Sequence, residues 1–517
     1  MTFEIVFVLL SLLGMVAALI ADKMRPGMIL FSVVVLFLCA GILTPKEMLE
    51  GFSNKGMITV ALLFLVSEGI RQSGTLGQVI KKLLPQGKTT VFKAQLRILP
   101  SVAFISAFLN NTPVVVIFAP IIKHWAKSVN LPATKFLIPL SYVTILGGIC
   151  TLIGTSTNLV VHGMILEAGF EGFSMFELGK VGIFIAIAGI IYIFLFSKRL
   201  LPDARPDTAV PDEEVEEGEK LHRVEAVLGA RFPGINKKLK DFNFQRHYGA
   251  EIKEIKTRNG QRFVTNLDDV VLHEGDTLVV MADDTFIPTW GESSVFVLLT
   301  NGNEPDTSGK KKRWFALLLL VLMIVGATVG ELPVTKEMFP DIKLEMFFFV
   351  SITTIIMAWT NLFPARKYTK YISWDILITI ACAFAISKAM VNSGVADSVA
   401  KFIIGLSDDY GPHVLLAMVF IITNLFTELI TNNAAAALAF PLALSISAQL
   451  GVSPTPFFVV ICMAASASFS TPIGYQTNLI VQGIGNYKFT DFVRIGLPLN
   501  IITFLISIIL IPLIWNF

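Results

Sequence analysis

The sequence predicts an all-α polytopic membrane protein. It has two inverted five-span repeats, each with a re-entrant hairpin, separated by a small α+β soluble insert. Three observations predict this class. Of 517 residues, 54% are hydrophobic and only 15% charged, with a mean hydropathy of +0.70, whereas an ordinary soluble domain carries about 25% charged residues. Apolar stretches near bilayer length form two groups around one polar interval, 198–313. Short polar motifs of the first group return in the second at a near-constant offset.

The first group comprises 3–22, 27–44, 57–70, 93–122, 136–166 and 181–197. The second comprises 314–332, 343–361, 374–392, 413–449, 456–486 and 495–515. The first stretch lacks a basic leading region and an A-x-A cleavage site, so it reads as a retained helix. Lys and Arg mark cytoplasmic ends. Lys23, Arg25, Lys81, Lys82, Lys88, Lys123, Lys127, Lys135, Lys198, Arg199 and the run Lys310 to Arg313 belong inside. Glu47, Glu50, Glu167, Glu171, Glu177, Asp408 and Asp409 belong outside. The scheme closes only if 93–127 enters and leaves on one side as a hairpin, and 412–450 does the same from the opposite side. Ten spans and two hairpins result, in a plasma (inner) membrane, with the insert cytoplasmic and both termini outside.

The domain division is therefore repeat 1 at 1–200, insert at 201–313 and repeat 2 at 314–517. Within the insert, 203–219 is an acidic, Pro-rich linker. Residues 220–290 carry the strand-like runs Val224–Leu228, Glu251–Ile255 and Thr277–Met281. Residues 291–313 form a second linker. The net charge of +2 gives no case for nucleic acid. Cys39, Cys150, Cys382 and Cys462 all lie in apolar runs and read as buried thiols.

The halves repeat each other. Ile153 to Gly163 aligns with Ile473 to Gly483 without a gap (153 against 473). Asn110-Asn111-Thr112 with Pro120 aligns with Thr431-Asn432-Asn433 with Pro441, and Ser67 to Gly74 with Ser387 to Gly394. An odd number of spans per half makes the second half inverted, as in secondary transporters.

Function is written in the polar residues left inside these apolar stretches. Both triplets interrupt a helix, leaving backbone N–H and C=O groups that membrane depth tolerates only where they line a cavity or bind something. The C=O groups ending the first arm suit a hard cation. The N–H groups opening the second arm suit an anion. Gly154-Thr155-Ser156-Thr157-Asn158 and Gly474-Tyr475-Gln476-Thr477-Asn478 interrupt a second pair of spans. Helix capping or helix–helix packing is the bland alternative for each cluster, but it does not explain matching clusters in both halves. No Arg or Lys lies in either pair, so an anion there needs a bound cation for countercharge. Glu68 and Lys388 occupy equivalent positions, either as interfacial side chains or as an ion pair across the repeat. Glu428, three residues before Thr431, could tune cation binding or hydrogen-bond a neighbouring element. No metal-ligand spacing of His, nucleophile elbow, Walker loop or G-x-G-x-x-G is present, so an enzyme is not expected.

The run Gly147 to Leu159 (GGICTLIGTSTNL) and Ser470 to Leu479 (STPIGYQTNL), with the paired triplets, resemble the divalent anion:sodium symporter family across both membrane halves. That family has Ser-Asn-Thr at each tip, where this chain has Asn110-Asn111-Thr112 and Thr431-Asn432-Asn433. Its carboxylate carriers often have Pro-Pro before the Asn of the broken span. Ser156-Thr157 and Gln476-Thr477 stand there instead, more like the sulfate-type members. The resemblance implies Na+ as coupling ion at Ser106, Asn110, Asn111 and Gly154, and again at Thr427, Ile430, Asn432 and Gly474. It implies an anion near Asn111, Thr112, Thr155, Ser156, Thr431, Asn432, Asn433, Tyr475 and Gln476, with Asn158, Asn478 and Glu428 in support. Ser106 and Thr427 each lie four residues before their triplet, about one helical turn. The insert resembles the C-terminal TrkA-type (RCK-C) regulatory domain through Gly275-Asp276-Thr277-Leu278, which implies a small-molecule regulator there.

The expected function is sodium-coupled symport of a small divalent anion, sulfate first and a C4-dicarboxylate second. The resemblance also implies a homodimer in membrane lipid and an elevator type of alternating access. A channel gated by the insert is the alternative from another class; it would need a carbonyl-ring filter, and no TVGYG-like segment is present.

Overall fold

The computed structural model describes residues 3–21, 23–203, 222–229, 232–257, 261–283, 286, 290, 295–300, 309–339, 342–405 and 411–517. Most of the acidic linker, much of the second linker, and Asp408 and Asp409 lie outside the described residues. Among the described residues, eight helices are long and apolar enough to cross a membrane, and four further apolar helices are shorter. Two of the eight, Gly411–Leu429 and Asn432–Leu450, are arms of one hairpin. The outer faces of the membrane helices leave large apolar side chains uncovered, among them Leu10 and Leu13 on Phe3–Ala21, Phe104 on Val91–Ser106 and Leu195 on Gly179–Leu200. That is the pattern of a surface whose solvent is lipid.

Both hairpins form where the polar triplets interrupt apolar sequence. The first runs Val91–Ser106 and Asn111–Ser128; the second runs Gly411–Leu429 and Asn432–Leu450. The long stretches that follow are each broken, into Leu137–Gly148 with Ser156–Glu167 and into Thr455–Ser466 with Gln476–Gly485. Elsewhere the halves run in step: Pro26–Cys39 and Met346–Trp359 begin 320 positions apart (26 and 346). Their packing is reciprocal. Pro26–Cys39 lies on Trp374–Asn392 of the second half, and Met346–Trp359 lies on Lys55–Gln72 of the first.

Two expectations change in detail. Glu68 finds its partners on its own helix: Arg71 Nη2 lies 2.6 Å and Gln72 Nε2 2.5 Å from Oε1, whereas Lys388 is exposed. The (i, i+3) and (i, i+4) spacing brings both donors over one turn. All four Cys are free, but only Cys382 and Cys462 are buried; Cys39 is exposed and Cys150 half-buried.

The insert is a five-stranded antiparallel sheet in the order β3-β2-β4-β1-β5, with β1 His222–Leu228, β2 Glu251–Lys256, β3 Arg262–Phe263, β4 Thr277–Ala282 and β5 Phe296–Thr300. Three strands fall on the expected runs. Strand β5 lies in the stretch expected to be linker, where the apolar run Val295 to Leu299 pairs along β1. An aromatic cluster including Phe232, Phe242, Phe244 and Tyr248 fills the core of the insert.

The insert is docked on the membrane unit. Lys123, near the end of the arm Asn111–Ser128, places Nζ 3.0 and 2.9 Å from the two carboxylate oxygens of Glu225 on β1. Lys256 lies 3.5 Å from the same carboxylate. The turn at Gly275 packs on Leu479, and a Cβ on Gly483 would lie 2.5 Å from Thr277 Oγ1. Burial of Glu225 raises its pKa, but the ammonium groups of Lys123 and Lys256 outweigh this and hold it at about 2. The contact therefore contributes fully above the ordinary value of 4.5 and is lost as pH falls towards 2. Lys123→Ala leaves the carboxylate with Lys256 alone at 3.5 Å and is expected to cost about 2 kcal/mol, one hydrogen bond to a charged group. Faster amide exchange in 222–228 would register it; unchanged exchange would contradict the contact.

Candidate functional site

Each cation-type pocket is built within one half. In the first, the Ser106 hydroxyl donates to Asn111 Oδ1 at 2.7 Å, across the hairpin tip. Thr151 donates to the carbonyl of Ala107, and Gly154 N donates back to Thr151 at 3.2 Å. Asn158 Nδ2 ties the break together by donating to the carbonyls of Thr151 and Gly148 at 2.9 and 3.4 Å. The second half repeats every one of these bonds. Thr427 lies 2.8 Å from Asn432 Oδ1, Thr471 donates to the carbonyl of Glu428 at 3.1 Å, and Gly474 N donates to Thr471 at 3.3 Å. Asn478 Nδ2 donates to the carbonyls of Ser468 and Thr471 at 2.9 and 3.1 Å. Broken helix ends, their carbonyls and short oxygen-bearing side chains are thus held together twice, with the oxygen chemistry hard cations take.

The region between the tips is built across the halves. Asn111 Nδ2 donates to Tyr475 Oη at 2.5 Å, and Thr155 Oγ1 lies 3.1 Å from the same hydroxyl. The Asn432 side chain approaches the same hydroxyl, so Tyr475 stands between both tips. Thr112 donates to Gln476 Oε1 at 3.3 Å; Ser156 and Thr157 each donate to Asn433 Oδ1 at 3.3 Å. These contacts gather four helix N-termini, at Asn111, Ser156, Asn432 and Gln476. None of the four has a side-chain cap on its first turn. Uncapped first-turn N–H groups at the positive ends of helix dipoles make a site for negative charge. No Lys or Arg belongs to the set.

Ser106, Asn111, Thr155, Thr427, Ile430, Asn433 and Tyr475 are buried; Asn110, Thr112, Ser156, Thr431 and Asn432 are half-buried and Gln476 is exposed. Thr431 makes no side-chain bond and its hydroxyl is buried without a partner. The structure also assigns parts to residues not singled out in the sequence. Thr151 and Thr471 pin the breaks to the hairpins, and Ser141 ties Thr477 and Asn478 at 2.8 and 2.7 Å. The threonine pair was visible as one further match at the same spacing (151 against 471). Ser141 carries no comparable signal. Among the described residues, no group of three or more His, Cys, Asp or Glu could hold a metal ion.

A polytopic helical chain whose broken helices gather backbone ends, amides and hydroxyls in an apolar interior is a membrane transporter. It belongs to the citrate transporter family, matched over residues 16–446 and 342–516. An uncharacterised transporter of Synechocystis is 30% identical over 94% of this chain and 93% of its own length. The uncharacterised transporter YfbS of Escherichia coli is 25% identical over 99% of this chain and its own whole length. Sodium/sulfate cotransporter 2 of Chlamydomonas reinhardtii is 31% identical over 54% of this chain and 31% of its own length.

Proposed function

We propose that this chain is a secondary active transporter that carries a small divalent anion, sulfate first, together with sodium. The observation that carries it is the meeting of four uncapped helix N-termini between two equivalent oxygen-lined pockets, with no fixed cation among them. Sulfate accepts hydrogen bonds on every oxygen and donates none, which suits N–H and hydroxyl donors. Sodium in the flanking pockets would supply the missing positive charge. The residues assigned from the sequence take the same roles: Ser106, Asn110, Asn111 and Gly154 for one ion, Thr427, Ile430, Asn432 and Gly474 for the other, and the cross-half contacts for the anion. The cotransporter named above supports sulfate. The name of the family favours a carboxylate as the second reading.

The reciprocal packing supports inverted repeats that exchange access by an elevator-like motion, in a homodimer with the insert on the cytoplasmic side. In this scheme the insert, of the TrkA-C kind, grips two helices that begin at the anion site and takes a small regulator. Proteoliposomes test the proposal. An inward sodium gradient is expected to accumulate labelled sulfate above its equilibrium level, and unlabelled succinate to compete only weakly. Downhill flux indifferent to sodium would overturn it in favour of a channel.

A further inference from the structure

The two cation-type pockets share their bonds but not their surroundings. Three of the differences bring a carboxylate and two hydroxyls to the second pocket. Glu428, Ser468 and Ser470 of the second half stand where the first has Ala107, Gly148 and Cys150. The Glu428 carboxylate accepts from Ser470 N at 2.8 Å and from Asn500 Nδ2 at 2.7 Å, and lies 3.4 Å from Ser468 Oγ. Ser468 Oγ is also 3.4 Å from the carbonyl of Thr427, which ends the first arm of the hairpin. A hydroxyl has one proton. When Ser468 gives it to Glu428, the oxygen lone pairs are left facing the pocket at Thr427. Gly474 leaves the room for this: a Cβ there would sit 2.0 Å from Ser468 Oγ. The first pocket has no such room at Gly148, where a Cβ would lie 2.7 Å from Asn111 Oδ1.

We infer that the two pockets are unequal cation sites and that Glu428 is the positioning residue that makes the second the tighter. It does so by turning the Ser468 oxygen into an additional ligand and by adding a negative charge that the first pocket lacks. The inference rests on the proposed sodium coupling.

Equilibrium binding of labelled sodium to the purified, full-length protein tests it without transport. The wild type is expected to show a tight and a weak phase. Glu428→Gln should weaken the tight phase about ten-fold, one lost charge-assisted bond. Ser468→Gly should weaken it to a similar degree, and Glu428→Asp less. Sulfate binding at saturating sodium should stay within about two-fold of wild type, because the carboxylate's contacts, Ser468, Ser470 and Asn500, lie outside the proposed anion set. Wild-type-like sodium binding in a folded Glu428→Gln protein would overturn the inference alone, and so would an equal loss of sodium and sulfate affinity. If Glu428→Gln does not fold, Ser468→Gly decides by the same two outcomes. Absence of sodium binding to the wild type would overturn the coupled-transport proposal and this inference with it.

Discussion

Asn111→Ala and Asn432→Ala are each expected to raise the half-saturating concentrations of sodium and of the anion together, by ten- to about a hundred-fold, the range for a lost hydrogen bond to a charged group. The reason is that each amide serves both kinds of site. Asn111 Oδ1 takes the Ser106 hydroxyl within its own half, while its Nδ2 reaches Tyr475 in the other half. Asn432 Oδ1 takes the Thr427 hydroxyl in the same way, and its side chain approaches Tyr475. Truncating either removes an acceptor for a hydroxyl on the cation side and an amide contact with the Tyr475 phenol on the anion side. Sodium titrations at fixed anion, and the converse, measure the two effects. A mutant with a weakened anion but an unchanged sodium dependence would show that the pockets are not shared. Asn158→Ala gives the contrast. Its amide donates to two backbone carbonyls of the break, so it should lower stability and leave the ratio of the two affinities near wild type.

The same geometry explains which parts of the site can be read from sequence. The hairpins are legible because Asn and Thr in the middle of an apolar run conflict with membrane burial, and that conflict is local. Expected at 93–127 and 412–450, they occur at 91–128 and 411–450. The breaks at Gly154 and Gly474 are legible for the same reason, and the internal repeat sharpens both. The bond between Asn111 and Tyr475 spans 364 positions, and no local pattern encodes it. The sequence places Tyr475 in the anion set; in the structure its hydroxyl ties the second break to the first hairpin tip. Ser141 was missed on similar grounds, since a serine in an apolar helix is unremarkable until Thr477 and Asn478 arrive opposite it. In the insert, alternation marked three strands, but β5 has no alternation because its run is apolar throughout.

Cross-half contacts also bear on how the insert is connected to transport. The arm that starts at Asn111 carries Lys123 near its far end, and the helix that starts at Gln476 carries Gly483. Both far ends touch the insert, through Glu225 and Thr277 respectively. An α-helix transmits displacement along its axis because every turn is bonded to the next. Whatever moves β1 relative to β4 therefore bears on two of the four N-termini of the anion site.

The largest loss is expected from Gly154→Ala, which should abolish coupled transport while leaving the protein folded. A Cβ on Gly154 would lie 2.5 Å from Gly148 O and 2.7 Å from Gly148 Cα. Both are backbone atoms, so no rotamer relieves the clash, and the two sides of the break, at Gly148 and Gly154, must move apart. Overpacking of this kind costs about 1–3 kcal/mol, small against the large apolar core that surrounds the site. Thr151 and Asn158, which pin the break, would carry the displacement to the tip. Thermal melts should then show a folded protein that sodium and sulfate no longer stabilise. Gly474→Ala separates side chain from backbone at the equivalent place. Its first clash is with Ser468 Oγ at 2.0 Å and its second with the carbonyl of Thr427 at 2.5 Å. Adding Ser468→Gly removes the first and leaves the second, so the double variant should recover only part of the ligand-induced stabilisation. Gly14→Ala, where nothing lies within 4 Å, should behave as wild type. Full activity in Gly154→Ala would mean that the break tolerates being opened between Gly148 and Gly154, and the cation pocket drawn there would fall with it.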